Sequence, residues 1–412
     1  MDKLQLLTFF TAGFFLSRLI IAVELPEHIV ARILGRGESS LTRLSFHLLA
    51  LAAGLSFFIP NAVAVLTLLP VVRLARQAFT DGRAPDEERA SDATVSTLLA
   101  LAVIYGANIG GLGSVTATPA NGIFVAWIET KLVAGRHFVQ FASWLLWGVP
   151  LALTLSLVAW SVLLVTLRPW RWRARALAMD VPRERLLEGR RAWAVGLMGL
   201  YFIVATGLSL AMLRARGDQV VWVLGISAAA TAALLALLFL LPVADEDASG
   251  GRRPLLGWAD CTAELPWKGF ALVGVAVVIG GVLYALRVHR AFARWAGAAI
   301  PSKLSLSALL VALALATSFA TEVLSNTAVQ LGLFWVVGPA ARELGHSALR
   351  ALLAVTLSCT CAFMSPIATG VNGLAFGGVR GVSLGRMLAV GLLMNVVAAL
   401  LISAWLRWVV WW

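Results

Sequence analysis

Apolar residues run in stretches of about 20, the length needed to cross ~30 Å of hydrocarbon, over residues 4–23, 138–167, 192–213, 220–241, 269–286 and 384–406. Each predicts a simple membrane helix. Four further regions are apolar but interrupted. Residues 44–74 and 304–341 each hold two apolar arms joined at an asparagine, in Ser56-Phe57-Phe58-Ile59-Pro60-Asn61-Ala62 and in Thr321-Glu322-Val323-Leu324-Ser325-Asn326-Thr327. Two half-length arms predict a re-entrant hairpin. Residues 94–133 and 349–377 carry Gly/Pro-rich interruptions, Gly110 to Asn121 and Ser365 to Asn372, and predict helices unwound in the middle.

Order and spacing predict a repeat. Each hairpin follows a simple span plus a basic amphipathic stretch, residues 28–43 in one half and 288–303 in the other, and each precedes a broken helix. Asn61 to Asn121 is 60 residues and Asn326 to Asn372 is 46, so the first half carries 14 more, which the charged segment 76–92 supplies as a loop insertion. The expected organisation is a first inverted repeat over 1–167, a basic cytoplasmic linker over 168–192 and a second inverted repeat over 193–412. With the N-terminus outside, the cytoplasmic segments hold 20 Lys and Arg and the opposite side 12. The positive-inside bias favours that orientation, and it puts the two hairpins on opposite faces.

Composition agrees with an all-α polytopic membrane protein. Sixty per cent of residues are apolar, 13% are charged and mean hydropathy is +0.88, against roughly one-quarter charged in soluble domains. The net charge of +12 lies in short segments between spans, which predicts lipid headgroups and no nucleic acid as its partner. The first span lacks a small-residue cleavage site and reads as a retained helix. Residues 168–191 interleave Trp170, Trp172 and Leu177 with arginines, as an amphipathic helix on the cytoplasmic face does. Cys261, Cys359 and Cys361 read as packing residues, and the five histidines share no metal spacing.

Irregular backbone in hydrocarbon leaves N–H and C=O groups unpaired unless protein, water or a ligand satisfies them. Paired interruptions in two halves of a chain point to a transporter's binding site. A half-helix N-terminus attracts anions and a half-helix C-terminus offers carbonyls to a small cation. At the second tip, Ser325 and Thr327 add hydroxyl donors for an oxyanion and the Asn326 amide can join carbonyls around Na⁺. At the first tip only Asn61 remains, between Pro60 and Ala62, with Ser114, Thr116 and Thr118 nearby in the chain. Glu322 reads either as a proton- or cation-coupling group or as a structural bond holding the tip. Arg18 reads as facing a neighbouring helix or a water-filled crevice, with a substrate counter-charge as the alternative.

The hairpin with Ser325-Asn326-Thr327, the segment Tyr105-Gly106-Ala107-Asn108-Ile109-Gly110-Gly111 with Thr118-Pro119-Ala120-Asn121, and Pro366-Ile367-Ala368-Thr369-Gly370-Val371-Asn372 together resemble the divalent anion:sodium symporter family of the ion transporter superfamily. The resemblance covers nearly the whole chain. It implies an elevator-type homodimer in a cell membrane, a bacterial inner membrane, in which hairpins and broken helices move together. It implies one Na⁺ held at Ser56, Asn61 and the backbone of Ala117, and another at Thr321, Asn326 and the backbone of Ala368. Ser325, Asn326, Thr327, Asn61, Thr118 and Thr369 would face a small anion such as a dicarboxylate or sulfate. No cofactor is implied beyond Na⁺ as coupling ion. The chain departs from the family pattern at Pro60-Asn61-Ala62, at both Thr-Pro-Pro-Asn positions and in lacking two leading helices.

Proton-coupled anion transport, Na⁺/H⁺ antiport and metalloid oxyanion export are alternatives on the same architecture. An intramembrane enzyme is more distant, since the spans carry no GxSxG, HExxH or paired-Asp signature and no GxxxxGK[ST] loop.

Overall fold

The computed structural model describes residues 2–34, 38–80, 85–172, 175–176, 188–244, 252–262, 278, 282, 285–287 and 304–410. The span expected over 269–286 and the basic stretch 288–303 fall almost wholly outside the described residues. The described chain is helical, with α1 (Asp2–Ala22), α2 (Leu25–Leu34), α3 (Leu41–Phe58), α4 (Asn61–Thr80), α5 (Pro85–Gly110), α6 (Pro119–Thr130), α7 (Phe141–Leu167), α8 (Gly189–Arg214), α9 (Asp218–Leu240) and α10 (Trp258–Thr262). It continues with α11 (Leu306–Thr321), α12 (Asn326–Glu343), α13 (Ala348–Cys359), α14 (Gly370–Gly378) and α15 (Leu384–Trp408). Eight of these helices are long and apolar enough to cross a membrane.

Hydroxyl caps set where the helices begin. Ser40 and Ser305 accept from Arg43 N and Ala308 N at the heads of the two hairpins, while Thr118 and Thr369 accept from Asn121 N and Asn372 N after the two interruptions. Such caps satisfy N–H groups a helix start leaves free. Ser40 and Ser305 stand 265 positions apart, as do Asn61 and Asn326; Thr118 and Thr369 stand 251 apart, as do Asn121 and Asn372. The 14-residue difference falls between the hairpin tip and the first interruption, where the insertion was expected.

The hairpin arms are longer than half-spans. α3 and α4 have 18 and 20 residues, and the helices carry on past the apolar windows 44–74 and 304–341. Arg73 and Arg76 explain one extension: Arg73 donates to Gly378 O at 2.7 Å and Arg76 pairs with Asp92 at 2.7 and 2.9 Å, so partners allow charged residues to stay helical. The linker lies largely outside the described residues; where it is described it holds a 3-10 turn at Pro169–Arg171, a strand at Arg175–Ala176 paired with Glu38–Ser39 and the start of α8 at Gly189. Pro169 follows Arg168 in the left-handed region (φ 48°), which stops α7 and redirects the chain.

Glycine lets α5 touch the first hairpin. A Cβ at Gly106 would lie 2.2 Å from Leu49 O, and one at Gly110 would lie 2.1 Å from Ala53 O. Small residues four apart are what close helix crossings in membranes require. In the second half the equivalent contact is a hydrogen bond, Ser318 Oγ to Cys361 O at 2.8 Å. Gly110→Ala should therefore destabilise the protein by about 1–3 kcal/mol through overpacking, while Gly54→Ala, with open space around the added methyl, should be neutral. Unfolding midpoints of the two variants in detergent check this; equal midpoints would contradict it.

Candidate functional site

Both interruptions are built by one device. After α5 the chain is irregular over 111–118, and Asn121, one turn into α6, donates from Nδ2 to Gly111 O (3.1 Å) and Ser114 O (2.8 Å). After α13 it is irregular over 360–369, and Asn372 donates from Nδ2 to Ala362 O and Ser365 O, both at 2.9 Å. Each asparagine thus satisfies the carbonyls ten and seven residues before it, and its own N–H is taken by the capping threonine. These side chains are fully buried. They satisfy carbonyls of the unwound backbone from within the protein, as a non-helical segment at membrane depth requires.

Each hairpin tip lies beside one interruption. α3 ends in an extended Ile59, and Pro60 O accepts from Val63 N and Ala64 N as α4 begins at Asn61. A Cβ at Gly111 would sit 2.3 Å from Thr118 Cγ2 and 3.6 Å from Asn61 Oδ1, so glycine at 111 lets Asn61 and Thr118 approach one another. At the second tip Ser325 is the residue before α12, and its side chain makes no capping bond, leaving the hydroxyl exposed. Thr321 Oγ1 donates back to Ser318 O at 2.8 Å. Ala117 N and Ala368 N donate to Ser114 O and Ser365 O.

Glu322 ties the second tip to its interruption. Oε1 accepts from Met364 N (3.0 Å) and Asn395 Nδ2 (2.7 Å), and Oε2 accepts from Ser365 N (2.7 Å). Asn395 Oδ1 in turn accepts from Phe363 N at 3.1 Å. The first half has no carboxylate here; the equivalent of Asn395 is Trp144, whose Nε1 donates to Leu112 O at 3.0 Å. Among the described residues no cluster of three His, Cys, Asp or Glu forms.

The halves meet through polar groups. Asn108 Nδ2 donates to Ala362 O (3.3 Å) and Asn372 Oδ1 (3.2 Å), joining the end of α5 to the second interruption. Gln330 of α12 donates to Ala120 O of α6 at 2.8 Å. Of the residues singled out from sequence, Asn61 and Thr118 are brought together, as are Thr369 and Asn372; Ser325 and Thr327 make no hydrogen bond to the first half among the described residues. Gln330 and Asn395 escaped sequence reading, and Asn108 stood out there only as part of the Tyr105 to Gly111 motif, with no role of its own.

Several buried oxygens at this junction lack a partner among the described residues. Ser56 Oγ lies just before the first tip and Asn326 Oδ1 at the start of α12.

The sequence profile of the citrate transporter family matches residues 3–333. The sodium-dependent dicarboxylate transporter SdcS of Staphylococcus saprophyticus is 23% identical over 401 residues, covering 95% of this chain and 74% of that protein. SdcS of Staphylococcus aureus strain USA300 is 24% identical over 404 residues, with coverage of 95% and 74%. The crystal structure of the Alcanivorax borkumensis YdaH transporter, described as having an unusual topology, superposes with a TM-score of 0.54 at 15% identity, over 98% of this chain and 84% of that one. That likeness concerns the fold. The resemblance read from the hairpin and broken-helix motifs is borne out. With its spanning helices and paired interruptions, the chain belongs to the citrate transporter family and is a multi-pass membrane transporter, not an enzyme.

Proposed function

We propose that the protein is a secondary active transporter that carries a small anion, a dicarboxylate or a related oxyanion, together with Na⁺. The observation that carries this reading is the pair of unpartnered buried oxygens, Ser56 Oγ and Asn326 Oδ1, one at each tip. A buried acceptor without a donor costs about 1–3 kcal/mol. A small hard cation with oxygen ligands removes that cost, and a site with so few carboxylates suits a monovalent ion better than a divalent one. Ser56, Asn61 and the backbone of Ala117 would hold one Na⁺; Thr321, Asn326 and the backbone of Ala368 would hold the other.

The anion would lie between the tips, against Asn61, Thr118, Ser325, Asn326, Thr327 and Thr369. Four helix N-termini, at Asn61, Pro119, Asn326 and Gly370, begin at the interruptions, and such ends favour negative charge. The names of the SdcS relatives, which specify sodium and dicarboxylate, support the same pairing. The two halves, 1–167 and 193–412, would act as inverted repeats joined by the linker 168–192. Hairpins and broken helices would move as one body past α1, α8 and α9, in an elevator-type homodimer of a bacterial inner membrane.

Proton coupling through Glu322 is the second reading. Against it, three donors already occupy the carboxylate, an arrangement complete without a proton. Labelled succinate uptake into proteoliposomes decides between them. A Na⁺ gradient at fixed pH should drive uptake and a pH gradient without Na⁺ should not; Ser325→Ala with Thr327→Ala should weaken succinate binding while Pro60→Ser with Ala62→Thr leaves it intact or broadens selectivity. Uptake driven by the pH gradient alone would discard Na⁺ coupling.

A further inference from the structure

Gln330 stands one turn beyond Asn326 on α12 and is completely buried. Its Nε2 donates to Ala120 O of α6 at 2.8 Å and to Thr356 Oγ1 of α13 at 3.3 Å. A backbone carbonyl can only accept, so the bond to Ala120 fixes which end of the amide is nitrogen and leaves the oxygen to find another partner. Among the described residues it has none: Oε1 is buried and unpartnered. The Thr356 hydroxyl cannot serve it, because its single proton is already donated to Leu352 O at 2.9 Å.

Asn326 presents the same deficit, since its Oδ1 is also buried and unpartnered. Side chains four residues apart share a helix face, with Cβ atoms about 5–6 Å from one another. Two acceptors therefore occupy neighbouring turns of one face of α12, with no donor for either. A species that is itself positive satisfies both at once, and a set of amide oxygens without a carboxylate suits a hard monovalent ion. The first hairpin has no counterpart. The offset of 265 that relates Asn61 to Asn326 relates Val65 to Gln330, and Val65 is a buried aliphatic side chain.

We propose that Gln330 Oε1 is a ligand of the second Na⁺ and shares that ion with Asn326 Oδ1. This rests on the Na⁺ coupling proposed above. The same side chain reaches both partners of the transport reaction: Thr118, assigned to the anion, caps α6 two residues before Ala120, so one amide touches the cation with its oxygen and steadies the anion's helix with its nitrogen. The two cation sites are unequal, the second having a ligand that the first lacks.

The test is equilibrium binding of radioactive Na⁺ to the purified full-length protein without anion, at constant ionic strength made up with choline chloride. Gln330→Met, which keeps the length of the side chain and removes the amide, should weaken one bound Na⁺ by about tenfold or more. Gln330→Glu, assayed at about pH 8 where a carboxylate is ionised, loses both N–H donors but keeps oxygen ligands and adds charge, so its Na⁺ affinity should equal or exceed that of wild type. Thr356→Val removes one partner of Nε2, leaves Oε1 in place and should bind Na⁺ as wild type does. A purely structural tie gives a different order, since Gln330→Met and Gln330→Glu both break the bond to Ala120 and would lose affinity alike. That result overturns the ligand, and so does wild-type affinity in Gln330→Met, which would mean that Oε1 holds water. Where Gln330→Met does not fold, Gln330→Glu decides alone: loss of Na⁺ affinity overturns the ligand and retention supports it. Na⁺-driven succinate uptake by wild type leaves the proposed function standing in each of these cases, whereas a wild-type protein that binds no Na⁺ overturns both.

Discussion

Replacing Asn372 with alanine is expected to abolish anion uptake and to lower the unfolding midpoint more than any other substitution in the interruptions. Its side chain donates to Ala362 O and Ser365 O and accepts from Thr369 Oγ1 at 2.9 Å and Asn108 Nδ2 at 3.2 Å. Ala362 O would keep only the longer bond from Asn108 Nδ2, Ser365 O only that from Ala368 N, and the Thr369 hydroxyl would lose its acceptor, at roughly 1–3 kcal/mol for each group left unpaired. Asn121→Ala should be milder. Asn121 supports only Gly111 O and Ser114 O, and its Oδ1 has no partner among the described residues. The difference traces to one exchange between the halves: the counterpart of Asn108 is Cys359, whose thiol donates to Thr356 O. Unfolding midpoints in detergent and Na⁺-driven uptake measure both variants. A wild-type midpoint for Asn372→Ala would sink the role assigned to this side chain.

The second large effect is expected at Glu322. An ionised carboxylate satisfies Met364 N, Ser365 N and Asn395 Nδ2 together, whereas glutamine brings an NH₂ group into a site that offers only donors. Hydrogen bonds to a charged group contribute about 1.5–3 kcal/mol, so Glu322→Gln should raise the Na⁺ concentration for half-maximal uptake by roughly ten- to a hundred-fold. Met364 and Ser365 lead directly to Ala368, so the displaced backbone should disturb the proposed second cation site more than the proposed anion site. Asn395→Ala, which removes one of the three donors, should have a smaller effect in the same direction. Separate titrations of Na⁺ and anion check the ordering. Loss of uptake in Glu322→Gln with unchanged Na⁺ dependence would show that the carboxylate serves another purpose.

Spans and interruptions were legible because each depends on local chemistry: an apolar run needs no partner to be recognised, and Asn61, Asn326, Asn121 and Asn372 stand out against hydrocarbon. The 14-residue insertion was legible because the asparagines count it off. Helix ends were not. Arg73, Arg76 and Asp92 look like an aqueous loop in sequence, yet their mutual and cross-chain bonds keep them on helices. In sequence Asn121 and Asn372 mark motif and spacing without a role of their own, and the structure shows them bracing the backbone. Asn108, Gln330 and Asn395 were invisible as a group, since a single amide in a membrane helix does not say which of its neighbours it will meet more than 30 residues away. Glu322 stood between coupling and bracing in sequence, and its three donors favour bracing.

The second arm of each hairpin is held by the opposite half: Arg73 by Gly378 O and Gln330 by Ala120 O. During synthesis the first hairpin therefore meets α5 early, through Arg76–Asp92 and the Gly106 and Gly110 contacts, but must wait about 300 residues for the carbonyl that Arg73 needs, a long-range closure of the kind that slows folding. Nascent chains stalled before α14 should consequently expose residues 61–80 to protease or to cysteine-reactive probes at introduced cysteines, and lose that exposure only once the last two helices emerge.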